Sequence, residues 1–240
     1  MGSNVNAFFE RIKMVQKFFQ HVRFLKNIDI FQFLYLNYIC KSVIRTDQSK
    51  IIPYKNVVIE ISPTAKIYVG GGDIEIGCDL LKKSKEETRV RLREYSTWNS
   101  NGGCKISYGS TLEILKNARF DNKYFTMNSN STIIVAEKIK LGQDVMIGRN
   151  VVIYDSDYHQ ILDEEGKVTN LPDSVVIEDH VWIATNVLIL KGVTIGEGSI
   201  VGANTTVNKN IGKHVKLGTE HKMLKKENYG NWNRKNPRDE

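Results

Sequence analysis

The 240-residue chain has a formal net charge of +7, with 41% hydrophobic and 25% charged residues, as in folded globular proteins. A basic surplus fits nucleic acid, an anionic membrane surface or a phosphorylated ligand. No recognisable nucleic-acid-binding module is present, so a phosphate-rich small ligand explains part of the charge. Cys40, Cys78 and Cys104 form neither a disulfide framework nor a metal-ligand motif. With no signal-peptide pattern at the start, we expect reduced thiols and a cytoplasmic protein.

The first segment, residues 1–50, is predicted to be helical. Aromatic and aliphatic residues recur there at spacings of three and four, with basic residues between them. Such a stripe packs on its own domain or on a neighbouring subunit; the alternative is a helix at a membrane surface. The longest apolar stretch, Ile28 to Cys40, is too short to span a bilayer. The apolar positions of the stripe are Phe8, Phe9, Ile12, Val15, Phe18, Phe19, Val22 and Phe24.

The second segment, from about residue 51 to residue 135, is predicted to be β-structure of irregular phase. Residues 57–61 and 66–69 have the composition of strands. The charged tract 78–101 breaks the pattern. It is predicted to be an insertion, either a helical excursion or a long surface loop.

A repeat of six residues governs the third segment, 139–211. A short fixed period predicts a solenoid. Six residues suffice for a short strand and a tight turn with one inward aliphatic side chain, and three such faces close a triangular coil. Successive coils would stack at the inter-strand spacing of about 4.8 Å. The repeated aliphatic positions are Leu141, Ile147, Ile153, Ile177, Ile183, Ile189, Ile195, Val201 and Val207.

The repeat turns polar immediately after Tyr154. Continuing its phase puts His159 at an aliphatic position, and Asp157 where valines stand in the two preceding turns. An imidazole can take the proton of a hydroxyl group, and a neighbouring carboxylate can hold its tautomer. We assign the general base to His159 and its orientation to Asp157, with Asp155 as the other carboxylate. The competing interpretation is a polar turn with a surface histidine.

The array resembles that of the hexapeptide-repeat acyltransferases, whose fold is a left-handed parallel β-helix. His159, a loop at 160–173 and the tract 181–184 (Val-Trp-Ile-Ala) are similar to the maltose, galactoside and streptogramin acetyltransferase branch. Arg45-Thr46 and the tract 51–55 look like the start of capsule and surface-polysaccharide O-acetyltransferases. The resemblance implies a mainly β fold with N-terminal α-helices, a β-helix domain over 51–220 with insertions near 78–101 and 160–173, and a tail at 221–240. This tail is either disordered or folded onto the CoA adenine.

The same resemblance implies further site residues. Trp182 would be a wall of the acceptor or pantetheine site, and Asn130 would contact the acceptor. Each kind of position also has a structural interpretation. Trp182 would be a packed aromatic, the small residues at 184, 185 and 203 would serve tight repeat packing, and the lysine at 209 would be solvated. The residues implied for acetyl-CoA are Ala184 (Gly in the family), Thr185 and Ala203 along the pantetheine arm, and Lys209 with Lys213 near the phosphates.

Relatives of this kind are homotrimers, so the resemblance implies sites between subunits, with His159 facing acetyl-CoA held partly by the adjacent chain. The implied reaction is acetyl transfer to a carbohydrate hydroxyl, without a metal. One alternative is an acetyltransferase for an antibiotic or an amino sugar nucleotide. Others are a zinc carbonic anhydrase of the same fold and a silent assembly module. Zinc catalysis needs three protein ligands, and only His159 and His180 lie within the regular array.

Overall fold

Three sheets run along the molecule, and consecutive strands of the chain move from sheet 1 to sheet 2 to sheet 3. The computed structural model describes residues 27–218 and the backbone of 223–224. Within the three sheets, every strand pairing is parallel except that between the last two strands of sheet 2. One circuit through the three sheets is one triangular coil, as the repeat predicts. We name the corners 1/2, 2/3 and 3/1 after the sheets that they join.

The strands of each sheet are given in their spatial order. Sheet 1 contains β1 (Val43–Arg45), β4 (Lys66–Gly70), β7 (Thr97–Asn101), β10 (Arg119–Asn122), β13 (Lys138–Leu141), β16 (Val175–Ile177) and β19 (Thr194–Ile195). Sheet 2 contains β2 (Ile51–Pro53), β5 (Ile74–Cys78), β8 (Cys104–Ser107), β11 (Phe125–Met127), β14 (Val145–Ile147), β17 (Trp182–Ile183), β20 (Ile200–Val201), β22 (Lys216–Leu217) and β23 (Met223–Leu224). Sheet 3 contains β3 (Val57–Ile61), β6 (Thr88–Leu92), β9 (Thr111–Ile114), β12 (Thr132–Val135), β15 (Val152–Tyr154), β18 (Leu188–Ile189) and β21 (Thr206–Val207).

Columns of inward aliphatic side chains hold the coils together. In sheet 3, the strand register places five fully buried residues directly above one another. Each buried aliphatic side chain contributes about 1.5–3 kcal/mol through removal of its apolar surface from water. The repeat therefore sets both the period of the chain and its core. The five residues are Leu112, Ile133, Ile153, Ile189 and Val207.

Larger side chains fill the early coils, where the six-residue phase is irregular. The Trp98 and Phe120 rings lie 5.9 Å apart, and the Phe120 and Phe125 rings lie 6.0 Å apart in an edge-to-face pair. The indole N–H of Trp98 donates to Asn122 Oδ1 at 2.7 Å, so this buried donor is paired. Many strands of these early coils have four or five residues, whereas the strands of the later coils, from β14 onward, have two or three. The early coils therefore lack the fixed spacing of six.

The prediction for residues 78–101 needs correction. Residues 88–101 belong to the coils, and their strands β6 and β7 pair in register with the coils on either side. Only residues 79–87 leave the coil, at the 2/3 corner. Strand β6 escaped prediction because Arg89 and Arg91 point outward between the buried Thr88, Val90 and Leu92, which gives the tract the composition of a charged surface.

The N-terminal prediction is only partly covered by the described residues. A short helix α1 (Ile30–Leu34) begins at Asp29, whose side chain accepts from the Gln32 N–H, and continues as a π-helical segment (Tyr35–Ile39). Strand β1 also lies within the stretch 1–50 that was predicted to be helical. The stripe from Phe8 to Phe24 and the tail at 221–240, apart from the 223–224 backbone, lie outside the described residues. No described helix has the length and apolarity needed to cross a membrane.

We predict that Phe120→Ala lowers the free energy of unfolding by about 3–5 kcal/mol, because it leaves a cavity between two aromatic rings. Lys140→Ala, at an exposed position of the neighbouring strand β13, should change it by less than about 0.5 kcal/mol. Urea denaturation of both variants measures the difference. Equal stability of the two variants would contradict the assigned core.

Candidate active site

The longest excursion from the coils is the loop 155–174, which leaves the 3/1 corner between β15 and β16. Strand β16 still pairs with β13, with Ile177 opposite Leu141, so the coil resumes in register after the loop. The prediction that His159 occupies an inward aliphatic position is wrong, since the side chain is exposed on this loop. The phase appeared unbroken because the length of the loop happens to preserve the six-residue spacing.

The backbone around His159 is held on both sides. Its N–H donates to the Asp157 carbonyl at 2.7 Å, and Asn170 Nδ2 donates to its carbonyl at 2.8 Å. The preceding Tyr158 has a φ of 63°, an uncommon conformation for a bulky residue, and packs edge-to-face on Tyr154 at 5.7 Å. Within the described part of the chain, no hydrogen bond occupies the imidazole. The ring is therefore presented to solvent on a fixed backbone.

Asp157 binds other partners than the imidazole of His159. Its Oδ2 accepts from Lys191 Nζ at 2.5 Å and from Asn170 Nδ2 at 2.9 Å. The hydrogen bond from Lys191, followed by that from Asn170, lowers the pKa of Asp157. Because Lys191 follows β18, this ion pair ties the start of the loop to the next coil. In a single chain, the geometry assigns Asp157 to positioning of the loop.

Asp155 is a structural carboxylate. It is fully buried, and its two oxygens accept the backbone N–H groups of Ala136, Glu137 and Lys138 at 2.6–2.9 Å. Burial raises the pKa of Asp155, and the three N–H donors oppose that rise. The carboxylate holds the 3/1 corner of the preceding coil, and it neither contacts His159 nor reaches the surface.

The residues predicted for the pantetheine arm share the 2/3 corner. Ala184 is partly exposed, and Thr185 and Ala203 are exposed. Ala184 N–H donates to the Val201 carbonyl at 2.9 Å, which stacks this corner on the next one. A Cβ atom on Gly148 would lie 2.7 Å from the Ala184 carbonyl carbon, so the previous corner needs glycine. The 2/3 corner therefore presents a ridge of small side chains.

Asn130 occupies the same corner, two coils before Ala184. Its φ of 61° places it in the left-handed region that tight corners require, as for Asn150, Asn186 and Asn204 in the following coils. Amide side chains connect these later corners, with Asn150 Nδ2 3.1 Å from Asn186 Oδ1 and Asn186 Nδ2 3.0 Å from Asn204 Oδ1. The asparagine therefore has a clear role in the turn. It lies across sheet 3 from the 3/1 corner at which the His159 loop begins.

Trp182 lies on the outer surface of sheet 2. It pairs in register with Met146 on one side and Ile200 on the other, and its side chain is partly exposed. The indole therefore lies on the side of sheet 2 that is turned away from the core.

Lys209 and Lys213 lie at different corners of the coil. Lys209 follows β21 at the 3/1 corner, one coil beyond Lys191. Lys213 lies at the 1/2 corner, 3.2 Å from Glu197 and 3.8 Å from Glu178, and the hydrogen bond that it donates to Glu197 leads the effects that raise its pKa. One chain therefore does not bring the two lysines together. Lys213 is already engaged with carboxylates.

Sequence reasoning missed a histidine–carboxylate pair at the 1/2 corner. His180 Nδ1 lies 2.8 Å from Asp144 Oδ2, and both side chains are about one-third exposed. Both residues have a left-handed φ, 57° and 60°, so both are turn residues. The register of β14 and β17 puts them at equivalent places in successive coils, so aligning the repeat would have revealed the pair.

One chain thus separates the predicted groups among four places: the 3/1 corner, sheet 2, the 2/3 corner and the 1/2 corner. They are His159 and Lys209, then Trp182, then Ala184 and Ala203, and last Lys213, respectively. Sheet 3 lies between the 3/1 corner and the 2/3 corner. Among the described residues, no group of three or more His, Cys, Asp or Glu side chains is arranged to hold a metal ion.

Comparison with known proteins identifies the family of the repeat and structures of similar fold. Residues 174–209 match a family model described as "Bacterial transferase hexapeptide (six repeats)". A comparison with curated proteins finds no match. The polysialic acid O-acetyltransferase OatWY is similar with a TM-score of 0.51 and 23% identity, covering 80% of this chain and 93% of OatWY.

Two further solved structures are similar at lower TM-scores. The polySia-specific acetyltransferase NeuO has a TM-score of 0.47 and 20% identity, over 82% of this chain and 85% of NeuO. The hexapeptide-repeat acetyltransferase VCA0836 from Vibrio cholerae O1 biovar eltor, in complex with acetyl coenzyme A, has a TM-score of 0.40 and 26% identity, over 58% and 68%.

These findings confirm two predictions. The match over 174–209 confirms the hexapeptide-repeat resemblance and agrees with a transferase. The likeness to OatWY confirms the fold as a left-handed parallel β-helix.

We predict that Asp155→Asn lowers the free energy of unfolding by about 1–3 kcal/mol, because its amide NH₂ would face backbone N–H groups that now have an acceptor. Glu164→Gln, an exposed change in the same loop, should leave stability unchanged. Thermal unfolding measures stability, and turnover well below the melting temperature shows whether the carboxylate also acts in catalysis. An Asp155→Asn chain with normal stability and lost turnover would overturn the structural role.

Proposed function

We propose that this hexapeptide-repeat β-helix protein is an acetyl-CoA-dependent O-acetyltransferase that acts on a sugar hydroxyl of a capsular or other surface polysaccharide. The observation that carries the proposal is the His159 loop. It holds the backbone of one histidine through Asp157 and Asn170 and leaves the ring exposed, without a hydrogen-bond partner among the described residues. The sequence tracts around Arg45 and residues 51–55 support the polysaccharide branch.

The proposed mechanism is direct transfer with one proton carrier. A ring nitrogen of His159 accepts the proton of the sugar hydroxyl while the hydroxyl oxygen attacks the thioester carbonyl carbon. Cleavage of the carbon–sulfur bond releases CoA, and the imidazolium returns the proton to the departing thiolate. Proton and charge therefore balance over the cycle, and no metal takes part. Acetyl-CoA supplies the thioester, and the ridge at Ala184, Thr185 and Ala203 would hold its pantetheine arm.

A homotrimer would complete the site. The imidazole and the pantetheine ridge belong to different corners of one coil, so two copies can join them at a shared groove. Three side chains near His159 are apolar and strongly exposed: Ile161 at 58%, Leu162 at 54% and Leu171 at 69%. Exposed apolar side chains clustered beside a polar site favour contact with another chain. In this arrangement Lys209 would lie near the CoA phosphates, without help from Lys213 of the same chain.

We further propose a cytoplasmic location, where acetyl-CoA is available as the donor. A peripheral membrane contact of the N-terminal region stays a prediction. It has support from the exposed side chains of Phe31, Tyr38 and Ile39, which are 87%, 67% and 67% accessible.

We predict that His159→Ala lowers acetyl-CoA turnover about a hundredfold or more, through loss of the general base. His180→Asn is the matched control, because asparagine tolerates the left-handed corner conformation and the change removes the other imidazole of the array. It should retain turnover within a few-fold. CoA release would be followed with neutral and acidic polysaccharides, an amino sugar nucleotide and aminoglycoside acceptors. Intact turnover in His159→Ala, or an equal loss in His180→Asn, would refute His159 as the base.

A further inference from the structure

A second surface site lies far from the His159 loop, beneath the excursion at residues 79–87. The excursion and the turn after β2 enclose a cavity of about 710 Å³ that opens over sheet 2. This volume lies within the range of small-molecule sites. We name it the lysine cavity, because its lining includes four lysines, Lys55, Lys82, Lys83 and Lys105.

The floor of the lysine cavity is an organised polar cluster. Glu75 and Lys105 pair in register on β5 and β8, and Lys105 Nζ lies 3.0 Å from Glu75 Oε1. The Tyr54 hydroxyl donates to Glu75 Oε2 at 2.8 Å. Burial, followed by the Glu75 hydrogen bond, raises the pKa of Tyr54, which therefore stays protonated. Both Glu75 oxygens are thus engaged, and its negative charge is largely compensated.

The rim of the cavity is cationic. Lys55, Lys82 and Lys83 are exposed, and no ion pair joins any of them to another described residue. With Lys105, four lysines line the cavity against two carboxylates, Glu75 and Asp79. A concave site with a surplus of one charge concentrates ligands of the opposite charge.

The loop that covers the cavity is anchored. Asn56 Nδ2 donates to the Ser84 carbonyl at 3.1 Å, and Ser84 N–H donates to the Leu81 carbonyl at 2.9 Å. At the other end, Ser107 Oγ donates to Asp79 Oδ2 at 3.2 Å. The lysines therefore stand on a preformed loop, which reduces the ordering cost of binding.

The cavity shares a surface with Trp182. The outward row of sheet 2 runs in register from Lys105 through Thr126 and Met146 to Trp182. Three inter-strand steps separate Lys105 from Trp182, about 14 Å at the usual spacing. A single sugar cannot span that distance, whereas a chain of several sugars can.

We propose that the lysine cavity binds an anionic group, a carboxylate or a phosphate, of a saccharide chain whose other end lies at Trp182. The proposal rests on the proposed function and specifies its acceptor as an acidic saccharide chain of several units. Lys55, Lys82 and Lys83 supply the positive charge, and the protonated Tyr54 hydroxyl lies at the base of the cavity.

Binding is tested by calorimetry on the full-length His159→Ala chain, so that bound saccharide is not modified. The probes are an oligogalacturonate for carboxylate, a glycerol-phosphate oligomer for phosphate, and dextran as the neutral saccharide. We expect one of the two acidic probes to bind, identifying the anion, and dextran not to bind. Lys82→Gln with Lys83→Gln should weaken binding about tenfold, through loss of two charged contacts.

The matched control is Lys85→Gln, which removes the same charge from the same loop outside the cavity lining; its binding should equal that of the parent. Equal weakening by the control, equal binding of dextran, or no binding of either acidic probe would overturn the proposal. Rates of acetyl transfer, measured on chains that retain His159, separate the two proposals. If no acetyl transfer is found, but the double variant loses binding and the Lys85→Gln control keeps it, the cavity assignment stands and the transferase assignment fails.

Discussion

The constraint on which the rest of the structure depends is the parallel register between coils. Inward aliphatic residues of successive coils lie over one another, as Ile153 lies between Ile133 and Ile189 in sheet 3. Backbone pairing and apolar burial therefore demand the same alignment, and a shift by one residue would turn each column outward. Because the columns fix the coils, a corner can carry a long excursion without moving the strands on either side.

Both proposed sites, the His159 loop and the lysine cavity, lie at excursions of this kind. The loop 155–174 leaves the 3/1 corner and the loop 79–87 leaves the 2/3 corner, while β16 and β6 still pair in register. Buried and paired carboxylates attach the first loop to its coil: Asp155 binds the backbone of the preceding coil, and Asp157 binds Lys191 of the next. Polar side chains thus hold the loop in place, and the imidazole of His159 can stay exposed.

The sequence predicted the later coils well and the early ones poorly, for a physical reason. Small corners and single aliphatic residues impose a period of six in the later coils, whereas longer strands and the rings of Trp98 and Phe120 form the early coils without a fixed period. The predicted inward placement of His159 was wrong because the loop 155–174 has a length that preserves the six-residue spacing. The spacing alone therefore does not show that the chain has left the coil. Lys209 and Lys213 are close in sequence, yet β-helix geometry places them at different corners. The partnership of Asp157 with Lys191 depends on stacking of coils and has no local signal.

The central claim, that the imidazole of one copy serves a thioester held by another, is tested by mixing two inactive variants. His159→Ala removes the base, and Ala184→Trp fills the pantetheine ridge. The two chains would be produced together with different affinity tags, and acetyl transfer would be measured on the doubly purified mixed trimers. In every mixed trimer, one of the three interfaces joins an intact imidazole to an intact ridge, so we predict recovery of about a third of wild-type activity. Mixed trimers as inactive as either parent would contradict a shared site.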